Sequence, residues 1–118
     1  MREKFRVAFI GLKLALLDKS VFIQVIIGII VTIISIILKL NKIDFILVLL
    51  CIGLVIATEI LNTCVEELCN LYTTKQNENV KYIKDISAGA VLFVAILTLI
   101  IGVIIFLPYI RRLIDYGL

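Results

Sequence analysis

Three apolar runs, over residues 21–38, 45–72 and 86–107, limit what this chain can fold into. Buried β-strands can be as rich in Ile and Val, but they rarely exceed about 8 residues. A run of about 18–20 apolar residues is long enough to cross a hydrocarbon core as a helix. Length therefore decides, and the sequence predicts three membrane-spanning helices in an all-α chain. With 63% hydrophobic residues, the chain lies well above the apolar content of a soluble domain.

The polar stretches between the runs organise the rest. Residues 1–19 predict an amphipathic surface helix, with Phe5, Ala8, Phe9, Leu12 and Leu16 on one stripe and Arg2, Arg6 and Lys13 on another face. Asp18 or Ser20 is suited to cap the first span, over 20–38. The polar residues 39–44 form a short connection, so the second span runs antiparallel to the first. Residues 73–80 read as a loop leading into the third span, which is expected to end at Pro108 with Arg111 and Arg112 anchoring the tail. The whole, 1–118, reads as one domain.

The second run is longer than a bilayer needs, and its surplus carries polar residues. At about 100° per residue, Glu59, Asn62, Glu66 and Asn70 share one narrow helix face. Charged groups on a spanning helix are costly, so they usually face a protein interior or a watery cavity and mark function. Two carboxylates and two carboxamides on one stripe can hold a cation and position a nucleophile. Packing alone would explain them equally well, with Glu59 and Asn62 satisfying each other or pairing with Lys84. Glu67 points about 80° away and is expected in solvent.

Several chemistries are excluded. The chain has no His, which removes Ser-His and Cys-His catalysis. Cys51, Cys64 and Cys69 form no Cys-x-x-Cys and read as small apolar helix residues. No Gly-rich phosphate loop and no His-Glu-x-x-His occurs. The net charge of +3 does not imply a nucleic-acid partner, because the basic residues flank apolar spans and lack interleaved aromatics. The N-terminal segment lacks a small-x-small cleavage site and is expected to remain attached.

The basic residues also orient the chain. Arg2, Lys4, Arg6, Lys13, Lys19, Lys75, Lys81 and Lys84 fall on one side of a three-span arrangement, and Lys39, Lys42, Arg111 and Arg112 on the other. The positive-inside rule then places the N-terminus and the Glu59–Asn70 end of the second span in the cytoplasm, beside ATP. There Glu66 could hold Mg²⁺, which takes one or two carboxylates plus phosphates, and Lys84 could hold the phosphates. Glu59, deeper and drier, suits the base that takes the proton of a lipid alcohol.

These residues are familiar as a set. Glu59-Ile-Leu-Asn62-Thr-x-x-Glu66, followed by Lys84-Asp85-x-x-Ala88-Gly89-Ala90-Val-Leu92, resembles the small prokaryotic diacylglycerol kinase and undecaprenol kinase family. Phe5-x-x-Ala8-x-x-Gly11-Leu12 and Phe22-x-Gln24 extend the resemblance over nearly the whole chain. It implies a homotrimer in the bacterial cytoplasmic membrane, with sites shared between subunits and ATP-Mg²⁺ phosphorylating the hydroxyl of undecaprenol or diacylglycerol. It further implies Glu59 as general base, Asn62, Lys84 and Asp85 as nucleotide and phosphate contacts, and Glu66 as metal ligand. Gln24 and Glu59 would meet the lipid substrate. The chain start and compact length look slightly more like the undecaprenol kinase branch.

Two positions depart from the family pattern. Lys19 stands where the family usually has a metal-binding Glu, leaving the adjacent Asp18 as the substitute ligand, and Asn70 stands where Asp is common. A cation at the metal site opposes Mg²⁺ binding. The alternative is therefore a catalytically impaired member with a structural or regulatory role. A small proton-coupled exporter is a further class, but such proteins pack four spans into about this length.

Overall fold

The computed structural model describes residues 1–117, and they form four helices: α1 (Arg2–Leu16), α2 (Lys19–Ile37), α3 (Lys42–Tyr72) and α4 (Glu78–Tyr116). No strand occurs among the described residues. α2, α3 and α4 are each long and apolar enough to cross a membrane, as the three apolar runs predict.

Local chemistry sets the helix starts. Asp18 caps α2, its Oδ2 accepting from the Val21 amide at 3.2 Å, and Asn41 caps α3 by accepting from the Asp44 amide at 2.9 Å. Asn77 caps α4 and accepts from both the Asn79 and Val80 amides. This last cap starts α4 at Glu78, so the polar connection is shorter than the 73–80 loop expected. Inside the apolar helices, hydroxyls turn back onto their own backbone. Thr32 Oγ1 donates to the Gly28 carbonyl at 2.7 Å and Ser35 Oγ to the Val31 carbonyl at 2.8 Å. Ser35 is thereby fully buried without an unmet polar atom.

α3 lies between α2 and α4 and packs against both. Gly28 permits the close approach of α2, since a Cβ there would meet Ile52 Cγ2 at 2.7 Å. That methyl belongs to a β-branched side chain with one strongly preferred rotamer in a helix, so it cannot swing aside. Gly28→Val is expected to destabilise the chain by about 1–3 kcal/mol. Thermal unfolding in detergent, followed by circular dichroism, reads this as a lower midpoint; an unchanged midpoint would mean the helices part freely.

Pro108, expected to end the third spanning helix, does not do so. α4 continues through it to Tyr116, and its 39 residues span roughly 58 Å at 1.5 Å per residue, matching the longest dimension of the chain. A proline inside a helix removes one backbone hydrogen bond. Here contacts from beyond the proline offset the loss. Tyr109 Oη donates to Asp44 Oδ2 at 2.8 Å and accepts from the Asn41 amide at 3.0 Å, tying the tail of α4 to the start of α3.

Candidate functional site

The surplus turns of α3 carry the polar stripe, and α2 and α4 supply its partners. Glu59 is half-buried, Asn62 is buried, and Glu66, Glu67 and Asn70 are exposed. Burial along the stripe is deepest at Asn62 and is lost from Glu66 onward. Asn62 is its hub: Nδ2 donates to Glu66 Oε1 at 3.0 Å, and Oδ1 accepts from Ser87 Oγ at 2.8 Å. One carboxamide therefore orients a carboxylate on its own helix and ties α3 to α4. The packing alternative weighed for the stripe takes a different form here, since Asn62 pairs with Glu66 and Ser87 rather than with Glu59 or Lys84.

The corner between α1 and α2 closes the other side. Thr63 Oγ1 lies 3.1 Å from the Glu59 carbonyl and 3.3 Å from Asp18 Oδ2, so its hydrogen is shared between them. Asp18 is consequently held at the level of the stripe while it caps α2. The carboxylates of Glu66 and Asp18 lie near enough to act electrostatically on that of Glu59. Glu59 thus has one acidic neighbour on its own helix and another at the cap of α2.

Lys84 reaches across from α4, its Nζ donating to Asn70 Oδ1 at 2.8 Å. Asp85 turns away and pairs with Lys81 Nζ at 2.6 Å on the exposed side of α4. Gln24 stands apart from the carboxylates, at an apolar groove of about 270 Å³ where α2, α3 and α4 meet, beside Gly28, Val55 and Val91. The structure thus brings Asp18, Glu59, Asn62, Glu66 and Lys84 to one end of the bundle. It does not place Gln24 or Asp85 in direct contact with them. Thr63 and Ser87 are partners that the pattern reading did not single out for the site.

The donor set bears on a metal ion. No three acidic, Cys or His side chains among the described residues are close enough to form a protein cage. Mg²⁺ needs no such cage, since it keeps waters and takes one or two carboxylates together with substrate phosphates. Glu66, exposed and already oriented by Asn62, offers one such carboxylate.

The profile of the prokaryotic diacylglycerol kinase family matches residues 6–106. The chain belongs to that family. Every stripe and corner residue described above lies inside the matched region, whereas Tyr109 and Arg112 lie beyond it. The chain is also 40% identical over 70 residues to the undecaprenol kinase of Bacillus subtilis (strain 168), a stretch covering 59% of this chain and 57% of that relative. The matched stretch therefore spans less than two thirds of the relative's length.

Proposed function

We propose that this member of the family is a lipid kinase that transfers the γ-phosphate of ATP to the hydroxyl of a membrane lipid alcohol. The observation that carries this reading is the Asn62 hub, which orients Glu66 toward water while Glu59 remains half-buried one helical turn away. A reaction between a soluble nucleotide and a membrane alcohol needs such a gradient.

In the proposed reaction the lipid hydroxyl oxygen bonds to the γ-phosphorus, the bond to the β,γ-bridging oxygen breaks, and ADP leaves. Glu59 accepts the hydroxyl proton. Glu66 would hold Mg²⁺, with Asp18 as a second candidate ligand, and Lys84 would lie along the phosphates. When bound, Mg²⁺ neutralises charge on the phosphates. Asn62 keeps Glu66 in position, and Thr63 does the same for Asp18. Asp85 would reach nucleotide only by exchanging its Lys81 partner, and Gln24 would meet the lipid along the apolar groove.

Undecaprenol is the proposed acceptor ahead of diacylglycerol, supported by the identity to a protein named undecaprenol kinase. The excess of basic residues around α1 and the connection between α3 and α4 supports a cytoplasmic site in the bacterial cytoplasmic membrane. A homotrimer is supported by how little one chain encloses. Glu66, Glu67 and Asn70 at the polar end of α3 all stay exposed in a single chain.

The test is phosphate transfer from labelled ATP to undecaprenol and, in parallel, to diacylglycerol, with purified protein in mixed micelles. Labelled product from undecaprenol, dependent on Mg²⁺, is expected. No product from either lipid in a folded protein would favour a catalytically silent member, the reading that Lys19 at the start of α2 supports.

A further inference from the structure

The end of the bundle opposite the carboxylate stripe holds a second polar site. The C-terminal turns of α4 pass the exit of α2 and leave a cleft of about 330 Å³, with Lys39, Tyr109, Arg112 and Tyr116 around it and Leu38 and Leu113 as apolar wall. We propose that this cleft binds the phosphodiester of an anionic phospholipid.

Three observations carry the proposal. First, Lys39 adopts a left-handed backbone with φ of 56°, the only non-glycine residue described that does so. Glycine or asparagine is usual at such a position after a helix, and a side chain there is strained. The Leu40 amide donates to the Ser35 carbonyl and the Lys39 amide to that of Ile36, so this conformation closes the end of α2 and sets Lys39 at the rim of the cleft. Second, Arg112 lies over the Tyr109 ring at 5.5 Å from its centre, and Tyr109 is itself fixed by Asp44 and the Asn41 amide. The guanidinium therefore has a built support rather than a free tether. Third, neither cation has a carboxylate within 4 Å among the described residues, whose ion pairs are Arg6–Glu3 and Lys81–Asp85. Asp44 and Asp115 also stand near Arg112, but Asp44 is engaged by Tyr109 and neither closes on a cation.

Two cations with no carboxylate partner among the described residues, set beside an apolar wall, match a lipid phosphate with its chains running down the bundle. Free phosphate shares the charge but has no use for the wall. Tyrosines and basic residues together also fit the depth of lipid headgroups. Lys39 lies inside the family match at 6–106, and Tyr109, Arg112 and Tyr116 lie beyond it.

The experiment measures retention of phosphatidylglycerol, phosphatidylcholine and inorganic phosphate by the full chain, using native mass spectrometry and thermal shift in zwitterionic micelles. The variants are Lys39→Gly and Arg112→Gln, singly and together. Lys39→Gly relieves the backbone while removing the cation, so its unfolding midpoint without anionic lipid is expected to equal or exceed that of the parent. Phosphatidylglycerol is expected to bind in preference to phosphatidylcholine. Retention should fall about fivefold for each cation removed and about 30-fold for both. Equal retention by the double variant would overturn the site. Inorganic phosphate protecting as well as phosphatidylglycerol, and competing with it, would overturn the lipid assignment.

Discussion

Glu59→Gln is expected to lower phosphate transfer to the lipid by two to four orders of magnitude, the usual contribution of a general base. Glutamine keeps the size and shape of the side chain, and Asn62, Thr63 and Glu66 keep their hydrogen bonds, none of which uses the Glu59 carboxylate. The variant should therefore elute from size-exclusion chromatography as the parent does and unfold at a similar temperature. Binding of Mg²⁺-ATP should change little, since Glu66, Asp18 and Lys84 remain. Glu59→Asp withdraws the carboxylate by one methylene and should recover only part of the rate. Retention of more than about a tenth of the activity in Glu59→Gln would place the base elsewhere, with Asp18 the next group to examine.

Much of this arrangement was legible because it depends on local repetition. The three spans follow from unbroken apolar length, and the grouping of Glu59, Asn62 and Glu66 follows from spacings of three and seven on one helix. The Asp18 cap is likewise a local signal, a short polar side chain immediately before an apolar run. What could not be read are contacts between residues far apart in the chain. Thr63 meets Asp18 across 45 positions, and Tyr109 meets Asp44 across 65. Without the second contact, Pro108 reads as a helix end; with it, the helix continues to Tyr116. Lys84 and Asp85 show the opposite difficulty. Neighbours on a helix are turned by about 100°, so one faces α3 while the other pairs along its own helix.

Asn62→Leu separates positioning from packing at the hub. Leucine fills a similar volume, so the change removes hydrogen bonds without opening a large cavity. Glu66 Oε1 loses its donor, and Ser87 Oγ loses its acceptor across the α3–α4 contact. Ser87 can turn back to the carbonyl of Ile83, so the loss of stability should be only about 1 kcal/mol. The larger effect should fall on the metal. A carboxylate that has lost the partner orienting it typically binds its ion 10–100-fold more weakly. The Mg²⁺ concentration giving half-maximal transfer should rise by that factor, and excess Mg²⁺ should recover much of the rate. Ser87→Ala provides the contrast, because it breaks the tie between helices but leaves the bond from Asn62 to Glu66. It should lower the unfolding midpoint and leave the Mg²⁺ titration in place. If Asn62→Leu lowers stability alone, with the titration unmoved, the carboxamide is a helix tie and Glu66 is positioned by something else.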